Sequence, residues 1–317
     1  GDTIKKISKD IDVKSDEKID AEGGKAVLPG LINLHAHSAM VLLRGYADDL
    51  PLDTWLKEKI WPKETKLTKE DVYWGTKLAI IEMLKTGTTC FNDMYFFGQN
   101  IMAEIVERTG LRALLGVDFK NPELSISHAI ELAGKYKGNE YVKITLAPHS
   151  VYACSRDTLE KVKQAAEAEN FLVHIHVSES EKEIADCKKT HGQSPVEYLD
   201  ELGLLSDKLM AAHSIWLSDR DLEIYKSRGV KVAHCPVSNM KLSAGIAPLP
   251  KMLKLGITVG LGADGAASNN TLDLFADMRV CALLHKINNF DPTVVSAREL
   301  IQMATINGAK VLGMEKE

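Results

Sequence analysis

From Leu31 onward the chain alternates between two textures. One is a set of short, nearly continuous apolar runs: Leu31–His37, Thr88–Tyr95, Arg112–Phe119, Val142–Ser150, Phe171–Glu179, Leu209–Leu217, Lys231–Met240 and Thr258–Ala266. Runs without polar alternation are what strands buried on both faces require. The other texture is amphipathic, as helices lying over a sheet should be. Several of these stretches open with capping boxes, at Thr68…Asp71, Ser218…Asp221 and Ser296…Glu299. Ser194-Pro195 reads as a helix cap followed by proline at the first helical position. Gly87, Gly110, Gly203, Gly229 and Gly256 stand where a helix end takes a left-handed residue. Segment 181–208 is the least patterned. Eight strands alternating with helices predict an α/β protein, a parallel sheet closed as a (β/α)8 TIM barrel. An open doubly wound sheet uses the same alternation, and the strand count favours the barrel. Residues 1–28 differ: they are Lys- and Asp-rich with short apolar pieces, and read as short strands joined by polar turns.

Composition narrows the picture. The 317 residues allow two domains or one barrel with additions. A 45% hydrophobic content excludes disorder, and five Cys are too few and too odd for a disulfide scaffold. The net charge is −5, and no run of Lys or Arg exceeds two. That argues against nucleic acid as a partner. Ala26–Leu43 carries no charged residue, but Pro29, Gly30, Asn33, His35 and His37 interrupt it. It reads as a buried strand and loop, not a membrane helix. The expected compartment is the cytoplasm, with no membrane partner and reduced thiols. A homo-oligomer is expected.

Candidate chemistry lies in the histidines. Of ten, seven fall in the apolar runs or at their C-terminal ends: His35, His37, His149, His174, His176, His213 and His234. In a barrel those ends meet at one mouth. His35 and His37 are two apart on a strand, so both imidazoles point the same way and can reach one ion. His176 can supply a third imidazole. Glu179, three residues on, can face the same ion without ligating it. His174 lies deeper and reads as a hydrogen-bonded interior residue. His213 ends the sixth run. Asp264 ends the eighth, where an acid in an apolar strand needs a partner such as a cation. Such nitrogen and oxygen donors suit Zn2+ with one position open for water.

Two features point elsewhere. Gly260-x-Gly262-x-x-Gly265 follows a strand and matches a dinucleotide-binding fingerprint. Against that, it sits on the last strand, a polar loop follows, and the acid lies inside the motif. Cys235 beside His234 reads as core, with a nucleophilic pair as the alternative.

Pro29-Gly30-Leu31-Ile32-Asn33-Leu34-His35-Ala36-His37-Ser38 resembles the opening strand of the amidohydrolase superfamily. Ala147-Pro148-His149-Ser150, His174–Glu179 and Asp264-Gly265-Ala266-Ala267-Ser268-Asn269-Asn270 resemble its aminohydrolase branch. Within that branch the chain is similar, over its whole length, to S-adenosylhomocysteine/5′-methylthioadenosine deaminases, including members acting on 5′-deoxyadenosine. The resemblance implies one divalent metal per chain, Zn with Fe as the alternative, held by His35, His37, His176 and Asp264. It implies that Glu179 moves a proton to the purine ring. His213 would position the attacking water and Asp264 would assist proton transfer. Hydroxide supplied by the metal adds to C6 of adenine and ammonia leaves. No Lys is placed to bridge two metals, since Lys143 lies at the wrong end of its strand.

The resemblance also implies substrate contacts from Trp55, Glu64, His149, Glu179 and Ser268. An indole offers a flat apolar face and a carboxylate accepts two ribose hydroxyls. Unaided, Trp55 and Trp61 read as core and Glu64 as solvated surface. There is one departure. Relatives that bind S-adenosylhomocysteine grip its carboxylate with Arg, but 117–151 contains none. Lys120, Lys135, Lys137 and Lys143 offer no bidentate fork. The expected nucleoside therefore lacks a 5′ carboxylate: 5′-deoxyadenosine, 5′-methylthioadenosine or adenosine. Three other readings stand beside this one. They are a guanine, cytosine or triazine hydrolase on the same barrel, a dinucleotide-dependent oxidoreductase, and a non-catalytic relative. The expected domains are a partial β-sandwich over 1–28 and a metal-dependent hydrolase barrel over 29–317. The chain stops at Lys316-Glu317 without a second sandwich segment, so a truncated sandwich is expected.

Overall fold

The computed structural model describes residues 4, 6–9, 11–12, 14–20, 23–119 and 122–315. Lys120, Lys316 and Glu317 lie outside the described residues. The eight apolar runs become eight strands: β1 Leu31–Ala36, β2 Thr88–Tyr95, β3 Arg112–Val117, β4 Val142–Leu146, β5 Val173–Val177, β6 Leu209–His213, β7 Lys231–His234 and β8 Val259–Leu261. They pair in parallel in sequence order, each with the next. Past the end of β8, the chain returns to β1. The Asp264 N–H donates to the His35 carbonyl at 2.8 Å, and the Ala263 N–H donates to the Asn33 side chain at 2.9 Å. The architecture is a (β/α)8 barrel.

The helix signals hold in detail. Thr68, Ser194, Ser218 and Ser296 each cap a helix through a complete capping box. Gly87, Gly110, Gly203, Gly229 and Gly256 all have positive φ. Segment 181–208 resolves into two helices, Glu181–His191 and Pro195–Glu201. The main core packs the helices onto the strands. A smaller cluster of Leu34, Cys90, Leu114, Met210 and Ala233 packs against Val311, Leu312 and Met314 at the chain's last helix. Among the described residues, no helix is long and apolar enough to cross a membrane. Those described within 4–28 form no strand or helix. A partial sandwich built from that stretch is a proposal separate from the barrel.

The glycines of the apparent dinucleotide fingerprint serve a different need. A Cβ on Gly260 would lie 2.4 Å from Leu34 and 3.0 Å from the Met303 carbonyl. One on Gly262 would lie 2.7 Å from the His35 Cβ, and one on Gly265 2.9 Å from the Met40 sulfur. The spacing exists because β8 crowds against β1, not to admit a pyrophosphate. The following helix, Ala266–Asn269, is also only four residues long. The Gly262→Ala variant is expected to lose about 1–3 kcal/mol of stability in denaturant titration. An unchanged midpoint would mean that the seam has slack.

Candidate functional site

The strand ends gather the expected histidines. His35 and His37 leave β1, His176 lies on β5, His213 ends β6 and Asp264 follows β8. The Asp264 Oδ1 lies 3.4 Å from the His35 Nε2 and 3.2 Å from the His37 Nε2. The His35 ring centroid is 4.8 Å from those of both His37 and His176. Donor atoms of His35, His37 and Asp264 lie within 4.8 Å of one another, and so do those of His35, His176 and His213.

Each imidazole is held by its other nitrogen. His37 Nδ1 donates to the Met94 carbonyl at 2.6 Å, and His176 Nδ1 donates to the His149 carbonyl at 2.7 Å. His213 Nδ1 bonds the Asn239 side-chain oxygen at 2.8 Å. A carbonyl accepts only from N–H, so in the neutral form of the His37 or His176 ring the lone pair sits on Nε2, facing the centre. Burial lowers the His37 pKa but Asp264 raises it to about 9, and a cation at that Nε2 would take the place of the proton. His35 Nδ1 bonds His174 Nε2 at 2.7 Å, and His35 Nε2 is buried without a hydrogen-bond partner. An orphaned buried nitrogen among inward-facing lone pairs and a carboxylate fits a cation. Burial, then the neighbouring imidazoles, holds His176 well below its ordinary pKa. Burial alone would raise Asp264, but the His35 and His37 imidazoles beside it, 3.4 and 3.2 Å from its Oδ1, hold it well below the carboxylate range. Ser238 and the Gly265 N–H bind its two oxygens.

Beside this cluster lies a second acid. Glu179 is buried, and its Oε1 is 3.6 Å from His213 Nε2. Burial raises its pKa, which His213 partly offsets. Backbone strain is present at the mouth: Ser178, His213, Ser214 and Asp264 all have positive φ. A cavity of about 380 Å3 opens over the cluster, lined by His37, His176, Glu179, His213 and Asp264 at its base.

Trp55, Trp61 and Glu64 line the same cavity. They sit on the helical excursion that follows β1, and a wide π turn spans Trp55–Ile60. Such turns re-aim side chains and recur at functional sites. Trp55 packs into the core while also forming cavity wall, and Glu64 is buried rather than solvated. His149 lines the cavity too. Ser268 does not: it is buried, and its hydroxyl turns back to the Gly265 carbonyl. His174 is the interior residue expected, bonded to His35 and Asn92. Asn92, Ser238 and Asn239 were not singled out from sequence. Polar residues inside or just past apolar runs were the available signal.

Residues 26–317 match the profile of the amidohydrolase family. The chain belongs to that family. Among amidohydrolase relatives, one from Pyrococcus abyssi named 5-methylthioadenosine/S-adenosylhomocysteine deaminase is 45% identical over 99% of this chain and 76% of its own length. A 5′-deoxyadenosine deaminase from Methanobrevibacter smithii is 45% identical over 100% of this chain and 74% of its own. A crystal structure of an adenosine deaminase from Xanthomonas campestris with bound zinc superposes with a TM-score of 0.88 at 38% identity. That match covers 91% of this chain and 68% of the other.

A second group, His234, Cys281 and His285, lies behind β7 and is fully buried. Its two imidazoles bond each other through Nε2 at 3.2 Å. Burial holds Cys281 as the thiol and both rings neutral. Cys235 is also core, its thiol donating to the Ala233 carbonyl. One helical turn before Cys281, burial raises Asp277 to about 8 despite its bond to Asn269. Between its ordinary value near 4 and about 8, the folded chain keeps a proton that the unfolded chain has released. Stability therefore falls as pH rises through that window. The Asp277→Asn variant should flatten the fall in urea titrations across it, and an unchanged slope would count against this reading.

Two results are expected at this first donor cluster, that of His35, His37, His176 and Asp264, which could hold a metal ion. Dialysed protein should hold about one divalent ion per chain by elemental analysis. His176→Ala should lower that content sharply, and full retention would move the ion elsewhere.

Proposed function

We propose that this amidohydrolase removes the 6-amino group of 5′-modified adenosines by hydrolysis, yielding the inosine analogue and ammonia. The substrate class comprises 5′-deoxyadenosine, 5′-methylthioadenosine, S-adenosylhomocysteine and adenosine. One observation carries the reading: a donor cluster and the Glu179–His213 pair share the base of a cavity whose wall holds Trp55 and Glu64. The names of the 45%-identical relatives support the same chemistry.

His35, His37, His176 and Asp264 would hold a divalent ion, and zinc suits the donors and is present in the related Xanthomonas structure. Such an ion brings the pKa of a bound water toward about 7. Trp55 offers a flat apolar wall to the adenine, and Glu64 accepts hydrogen bonds from the ribose hydroxyls. Glu179, its proton affinity raised by burial, carries a proton to the ring and onward to the departing amine. His213, oriented by Asn239, points Nε2 at the reacting water, and Asp264 assists the proton transfer. We place the reaction in the cytoplasm, in a homo-oligomer. All five cysteines are free thiols, which agrees with a reducing compartment.

The cavity also speaks to the 5′ group. Among the described residues its lining has Glu64, Asp118, Glu179 and Asp264 but no Lys or Arg. Lys135, Lys137 and Lys143 are exposed and do not line it. Among the described residues a 5′ carboxylate finds no cation there, which supports a preference for neutral 5′ groups. Ammonia release from a panel of 5′-modified adenosines tests this, and equal kcat/KM for S-adenosylhomocysteine would sink the preference. In the same assay Glu64→Ala should cost nucleosides on the order of 100-fold in kcat/KM. Free adenine should be unaffected. Faster turnover of a free base or a triazine by the wild type would favour the other hydrolase reading.

A further inference from the structure

The helices capped by Thr68, Ser194, Ser218 and Ser296 share one device. In each, an acidic side chain three residues on turns back to the N–H of the cap itself. Helix Glu181–His191 opens with the same elements, and Ser180 Oγ accepts from the Glu183 N–H at 3.1 Å. Yet the Glu183 carboxylate bonds beyond the cap. One oxygen accepts from the Ser178 N–H at 3.1 Å, and the other from the Glu179 N–H at 2.7 Å.

Those two N–H groups belong to the turn that carries Glu179 out of β5. Ser178 has φ +54, a conformation that a side chain disfavours. Its carbonyl accepts from the N–H groups of Ile215 and Trp216, each at 3.0 Å, in the segment just past His213. The turn is therefore held on its carbonyl side by the neighbour of His213 and on its N–H side by Glu183. Glu183 is itself buried. Keeping a second carboxylate out of water next to Glu179 is costly. An ordinary helix cap is made by a neutral hydroxyl or amide without that cost.

We propose that Glu183 is the positioning residue for Glu179. Its two oxygens clamp consecutive backbone N–H groups and thereby set where the Glu179 carboxylate meets His213. The proposal rests on the reading of Glu179 as proton carrier.

The test is Glu183→Gln, which keeps the volume but replaces one accepting oxygen with an NH2 that faces an N–H donor. Expected is a fall in kcat of about 100-fold, as for an ångström-scale misplacement of a reacting group. KM and metal content should stay within about threefold of wild type. A kcat within about threefold of wild type overturns the proposal. So does a loss matched by metal content or appearing only in KM. Glu179→Gln is run alongside. If it keeps full kcat, the proton-carrier reading fails. If it is inactive while Glu183→Gln is not impaired, only the positioning role fails. Should Glu183→Gln not fold, Glu183→Asp is measured instead. One methylene shorter, it cannot span both N–H groups, so lowered kcat at constant KM supports the role and unchanged kcat overturns it.

Discussion

The hydrogen bond from the Asp264 N–H to the His35 carbonyl is the joint on which the site depends. It brings the exit of β8 against β1. In doing so it lays the Asp264 carboxylate beside His35 and His37. Glycines at 260, 262 and 265 let the two segments approach that closely, and the Asn33 side chain bonds the adjoining Ala263 N–H. This donor cluster, which could hold a metal ion, is thus a by-product of closing the sheet. A barrel left open at this seam would have its imidazoles but not its carboxylate.

Around the seam, orientation comes from a surrounding layer of hydrogen bonds. Carbonyls of Met94 and His149 and the amide of Asn239 choose which ring nitrogen of His37, His176 and His213 faces inward. Strained backbone at Ser178, His213, Ser214 and Asp264 then aims the side chains. Each such residue costs on the order of 1–3 kcal/mol, which the packed barrel beneath must offset. The apolar strands and the strained mouth are therefore parts of one design.

Much of this was legible in the sequence for identifiable reasons. Parallel strands buried on both faces leave unbroken apolar runs, so the eight strands announced themselves. The His-x-His spacing, His176 and Asp264 fell at strand ends, where a barrel collects chemistry. Capping boxes rely on local spacing and were read correctly at Thr68, Ser218 and Ser296. What local spacing could not show was aim. Trp55 and Glu64 reach the cavity on a helical excursion that includes a π turn, which no periodicity signals. Glu183 stands three residues after Ser180, at the spacing of a capping acid, and only coordinates show it bonding beyond the cap. Ser268 sits in a motif that resembled a substrate contact, yet its helix turns the hydroxyl inward. The Gly-x-Gly-x-x-Gly spacing was real, but its cause was steric crowding.

The seam also has a consequence for how the protein is made. His35 and Asp264 are separated by about 230 residues. At roughly 5–20 residues per second of synthesis, the first two imidazoles wait some 10–50 s for their carboxylate. During that interval the nascent chain can offer an ion only a partial set of donors. An ion held by all four residues could therefore load fully only after closure of the last strand. Uptake of such an ion would then mark the end of folding, and a chain that stalls before β8 would lack the carboxylate that completes the donor set.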